Sequence, residues 1–156
     1  MLNPWSRIRK IQNDQDLLNL RNGEGLLNAM KTDDKDKVRH LLNEPYIDVN
    51  VKDKYGSTPL ILTVQKNNPT IVEMLLDKGA NPNIQDYDGY TALYWAIEKN
   101  NLEIVPMLFD KGANPNIQNN EGYTALDWAK SKRNQVIINL IIKAKEKLYN
   151  VGTSVS

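Results

Sequence analysis

The sequence predicts an all-α solenoid of stacked helix–turn–helix units joined by short hairpin turns, and three observations predict it. Thr58, Thr91 and Thr124 stand 33 residues apart, Asn-Pro-Asn-Ile-Gln occurs at 81–85 and again at 114–118, and Gly56, Gly89 and Gly122 keep the same interval. A fixed period of that length marks supersecondary units that bury their apolar faces only by stacking on one another.

The stretch DYDGYTALYWAIEKNNLEIVPMLF, from Asp86 to Phe109, shows how one unit is built. A tight turn around Gly89 leads to Thr91, which caps a short first helix, and Leu93, Trp95, Ala96 and Ile97 fall on the inward side of that helix. Asn100 and Asn101 interrupt the chain. A second helix then carries Leu102, Ile104, Val105, Leu108 and Phe109 at helical spacing and stops at Gly112, as its counterpart one unit earlier stops at Gly79.

Taken in order, residues 1–22 hold Trp5, Ile8 and Ile11, then Leu17, Leu18 and Leu20, which predicts an N-terminal helical cap over the open end of the solenoid. Residues 23–55 form a degenerate first repeat, with Leu26, Ala29 and Met30 in one helix and Val38, Leu41 and Leu42 in the next. The most regular unit is 56–88, where Thr58-Pro59 and Pro69 each start a helix without wasting a hydrogen bond. In 89–121, Pro106 lies about one turn into the second helix and predicts a kink or a late start there. Residues 122–149 continue the core through Ile137, Ile138, Ile141 and Ile142 and end on Lys143, Lys145 and Lys147, leaving 150–156 as a flexible tail.

These units resemble the ankyrin repeat, whose pattern is a hairpin turn D-x-x-G-x-T-P-L-H, two helices and L-L-x-x-G-A-D-V-N. The chain reads DKYGSTPLI from Asp53, DYDGYTALY from Asp86 and NNEGYTALD from Asn119, with LLDKGANPN and LFDKGANPN closing two units. It departs from the pattern where Ile61, Tyr94 and Asp127 replace the family's histidine, and where Pro82 and Pro115 replace an apolar hairpin residue. The resemblance implies protein binding in a concave groove, and no catalytic activity or cofactor.

Composition narrows the function independently. Twenty basic against nineteen acidic residues give a net charge of +1, which predicts neither nucleic-acid nor membrane attraction. The absence of cysteine excludes disulfides and thiolate catalysis. His40 is the single histidine, no phosphate-binding glycine loop or metal signature is present, and the N-terminus lacks the apolar run of a secretory signal, so a monomeric cytoplasmic protein without metal, or one delivered to a host cell, is expected. In a repeat array, positions that vary while the framework holds are the natural readers of a partner. The candidate partner-binding residues on that ground are Tyr55, Tyr87, Asp88, Tyr90, Tyr94, Glu98, Lys99, Glu121, Tyr123, Asp127 and Lys132. Trp95 and Trp128 are expected instead to pack between repeats. The expected function is a non-catalytic protein–protein interaction module; an inhibitor or immunity protein that occludes a toxin or enzyme, and a secreted bacterial effector or adaptor, are the alternatives.

Overall fold

The computed structural model of the chain describes residues 23–153, with Asp14 ahead of them. The N-terminal cap expected over residues 1–22 lies, Asp14 apart, outside the described residues. Among the residues from 23 onward that are described, eight helices follow one another in four pairs: α1 (Glu24–Lys31) with α2 (Lys35–Leu42), α3 (Pro59–Gln65) with α4 (Pro69–Asp77), α5 (Ala92–Glu98) with α6 (Ile104–Asp110), and α7 (Ala125–Ser131) with α8 (Gln135–Thr153). The first helices stack in one layer, α1 on α3 on α5 on α7, and the second helices stack in another in the same order. No strand occurs among the described residues.

Side-chain caps fix most of the helix starts, α1 and α6 excepted. Thr58, Thr91 and Thr124 accept from the amides of Ile61, Tyr94 and Asp127 at 3.3, 3.5 and 3.3 Å, satisfying donors that a helix N-terminus leaves without an internal partner. The second helices α2, α4 and α8 are capped by Asp34, Asn68 and Asn134, which accept from Lys37, Ile71 and Ile137, while Asn101 accepts from Glu103 and Ile104 in the turn ahead of α6. Between each pair the chain passes through a left-handed residue, Asp33, Asn67, Asn100 or Arg133. Asparagine and aspartate tolerate that conformation through local hydrogen bonds.

Pro106 has the effect its position predicts. The amide of Val105 still reaches the carbonyl of Asn101 at 3.2 Å, but Pro106 has no N–H to bond Leu102, so α6 begins at Ile104. Leu102 falls in that irregular opening turn. It is 48% exposed rather than part of the core, which corrects the inward placement its spacing suggests. The core itself runs unbroken through the stack, from Leu26 and Leu42 through Leu60, Ile61, Leu75, Leu93, Ile97, Ile104 and Leu108 to Ile137 and Ile141. Each such side chain contributes about 1.5–3 kcal/mol on leaving water.

The hairpins are shaped from within. Asp53, Asp86 and Asn119 each accept two backbone N–H bonds from the turn that follows: Tyr55 and Ser57, Asp88 and Tyr90, Glu121 and Tyr123. Successive hairpins then touch through backbone bonds, Tyr87 N–H to Tyr55 C=O at 3.1 Å and Asn120 N–H to Asp88 C=O at 3.2 Å. Gly56 and Gly89 make this approach possible. A Cβ on Gly56 would stand 2.7 Å from the Tyr87 ring and one on Gly89 2.6 Å from the Asn120 nitrogen.

Asparagines supply bonds between repeats in a chain that lacks the family's histidine. Asn50 accepts from the Asn81 amide at 2.8 Å, and Asn83 accepts from the Asn114 amide at 2.7 Å while donating to the Gly112 carbonyl at 3.0 Å. At the far end α8 continues to Thr153, so residues 150–153 of the expected flexible tail are helical.

Candidate functional site

Three hairpin turns, 53–57, 86–90 and 119–123, form one edge of the stack and carry most of the residues expected to read a partner. Tyr55, Tyr87 and Tyr123 are 62%, 65% and 53% exposed, with Asp88 and Glu121 exposed beside them. Large rings with one polar tip, held on a fixed backbone, bring contact area at little entropic cost. Lys54 lies over the Tyr55 ring at 4.8 Å, and Lys52 lies over the Tyr87 ring at 5.8 Å while donating to the Gln85 carbonyl at 2.7 Å.

The first helices α5 and α7 hold a second group. Tyr90 stacks on Tyr94 with ring centroids 3.9 Å apart, Trp95 meets both edge-on, and Tyr94 lies 4.8 Å from Trp128 of the next repeat. The Trp95 indole donates to Asp86 at 3.3 Å and the Trp128 indole donates to Glu98 at 2.9 Å. Trp128 therefore bridges repeats, whereas Trp95 bonds the turn that leads into its own helix and packs against the core. Burial pushes the Tyr94 hydroxyl up, with the bond to Tyr90 and the charges of Tyr90, Glu98 and Glu121 adding to it.

The structure thus separates the tyrosines that spacing alone groups together. Tyr55, Tyr87 and Tyr123 stand out from the hairpin edge, while Tyr90 and Tyr94 are half-buried in a stack. The acids separate likewise. Glu98 is bridged to Lys132 at 2.8 Å, and hydrogen bonds from Lys132, then Trp128, hold its carboxyl below the usual range. Asp127 closes a capping box on Thr124, accepting its hydroxyl at 2.6 Å and its amide at 2.9 Å, and these bonds lower its pKa. Lys99 ends α5 exposed, on the far side of the repeat from the hairpin turn. Among the described residues no three histidines or carboxylates come together as a metal site requires, and His40 sits exposed on α2, 3.7 Å from Glu44.

Sequence reasoning missed Lys52 and Gln85. Gln85 donates both to the Gly89 carbonyl of its own turn and to Gln118 of the next, each at 2.8 Å. The repeated Asn-Ile-Gln was the available signal; its use as a rung between hairpins shows only in three dimensions.

Two stacked helical layers with a hydrogen-bonded row of turns along one edge define a helical repeat solenoid. Comparison with known proteins agrees: the family description "Ankyrin repeats (3 copies)" matches residues 10–86, 26–119 and 87–151, and the chain belongs to the ankyrin repeat family. An ankyrin repeat protein of Fowlpox virus (strain NVSL) is 62% identical over 34 residues, a span covering 22% of this chain and 8% of the viral protein. Ankyrin repeats are generally protein–protein interaction modules. No helix among the described residues is long and apolar enough to cross a membrane.

Proposed function

We propose that this chain binds a partner protein along its hairpin edge and the adjoining first helices, the surface that forms a concave groove in an ankyrin stack. The observation carrying this reading is the row of protruding tyrosines, Tyr55, Tyr87 and Tyr123, on three consecutive hairpins. Aromatic residues exposed on a rigid frame are what interface hot spots are made of. The surrounding side chains offer no nucleophile–base pair, so recognition rests on shape and contact.

The test compares wild type with the Tyr87→Ala, Tyr123→Ala double variant. The partner is captured from lysate of the source organism or of a host cell, identified by mass spectrometry and titrated against both proteins. Each tyrosine is expected to contribute at least about 1 kcal/mol to binding, while the melting temperature stays within a degree or two. A melting temperature that falls in step with affinity would mean the rings hold the hairpins together instead.

A further inference from the structure

Resting on that reading, we infer that the segment docked on the second and third hairpins, 86–90 and 119–123, is basic, presenting arginine or lysine side chains to a surface that is both aromatic and anionic. The charge pattern comes first. Neither residues 79–98 nor residues 112–129 contain a lysine or arginine, yet they carry the exposed hairpin acids Asp88 and Glu121, besides Asp86, Glu98 and Asp127, which are held by their turn, by Lys132 and by Thr124. The first hairpin differs, having Lys52 and Lys54 on either side of Asp53. One edge of the molecule therefore changes sign along its length, although the whole chain is close to neutral.

The rings supply the second half of the argument. A cation is attracted to the face of an aromatic ring, and more strongly where a carboxylate stands nearby. The chain makes that arrangement with its own lysines: Lys132 lies 5.1 Å from the Trp128 ring centroid while pairing with Glu98, and Lys54 and Lys52 lie over Tyr55 and Tyr87. In the fourth repeat the pattern is left for a partner to complete. Tyr123 protrudes next to Glu121 in a hairpin whose own sequence brings no cation. Asp88, exposed on the preceding hairpin, joins it through the backbone bond from Asn120 to the Asp88 carbonyl. A guanidinium can stack on the ring and bond the carboxylates, whereas an acidic segment, a nucleic acid or an anionic lipid surface is repelled by the same groups.

The experiment uses the full chain, nitrogen-15 labelled, and two synthetic nine-residue peptides of identical leucine and tyrosine pattern, one with arginine and one with glutamate at alternate positions. The arginine peptide is expected to shift the amides of Asp88, Tyr90, Glu121 and Tyr123. Its affinity should fall at least fivefold in the Asp88→Asn, Glu121→Gln variant, whose exposed side chains leave folding unchanged, and should weaken as salt is raised. Equal binding of the glutamate peptide at those amides would overturn the inference while leaving the hairpin edge as a binding surface. Shifts confined to α4, α6 and α8, with none at the hairpins, would count against both. Arginine-peptide binding unaffected by the double variant, or no shift with either peptide, would overturn the basic-partner inference alone.

Discussion

The joint between the third and fourth repeats and the joint between the first and second are built from the same helices but fastened differently. At the later joint Trp128 and Lys132 both bond Glu98, the Asn134 side chain donates to Asn100 at 2.6 Å, and Tyr94 packs on Trp128. At the earlier joint, among the described residues, the comparable bonds are those of Lys66 to the Met30 carbonyl, Thr63 to the Met30 sulfur at 3.7 Å, Lys31 to Asp53 at 3.6 Å and Lys66 to Asp33 at 4.0 Å, the last three long and the ion pairs partly exposed. A cleft of about 570 Å³ opens there, lined by Met30, Val38, Thr63, Asn68 and Ile71. In a solenoid each repeat draws its stability from its own core and its two neighbours, so the weaker joint is where opening begins. The difference places the rigid frame under the hairpins of repeats three and four, where the exposed Tyr123 and the anionic edge lie.

The largest effect should follow from Leu93→Ala. Leu93 is 1% exposed in α5, between two neighbouring first helices, so the cavity should cost about 3 kcal/mol in urea unfolding. It should also remove the cooperativity that ties the two ends together. Trp128→Leu comes next. Loss of the indole bond to Glu98 and of the ring contact with Tyr94 should cost about 2 kcal/mol, and native-state hydrogen exchange should show α7 and α8 opening about as readily as α1 and α2. Exchange in α7 that remains much slower than in α1 would show that the joint does not depend on Trp128.

A smaller and pH-dependent effect is expected for Glu98→Gln. The Glu98 pKa is lowered below its ordinary 4.5 by Lys132 and Trp128, so the stability it contributes is fully present above about pH 4.5. That stability is lost as pH falls through the folded value. Wild type and variant should differ by about 1 kcal/mol at pH 7 and converge well below pH 4.5. A gap that persists in acid would mean the carboxylate charge is not what holds this joint. The smallest effect on stability belongs to Tyr87→Ala and Tyr123→Ala, within about 0.5 kcal/mol for exposed side chains.

The sequence carried the period, the helix starts and the core, because capping threonines, prolines and buried aliphatics act locally and recur at fixed intervals. Pro106 was legible for the same reason. The site was less so. Tyr90 and Tyr123 occupy equivalent positions, yet Tyr90 is drawn into a stack because Tyr94 stands four residues on, where the fourth repeat has Asp127. Asp127 and Glu98 read as candidate binding charges, but one closes a capping box and the other is held by the next repeat. Partners 30 and 34 residues away, Trp128 and Lys132, decided Glu98, and spacing within one repeat does not contain them, whereas Asp127 was decided locally by Thr124 three residues before it.

Once a partner is captured, the most direct measurement is hydrogen exchange of the full chain with and without it, read residue by residue. Slowed exchange concentrated at 53–57, 86–90 and 119–123 and at the starts of α3, α5 and α7 is the expected result. Slowing confined to α4, α6 and α8, with the hairpins unchanged, would place binding on the opposite layer and contradict the account.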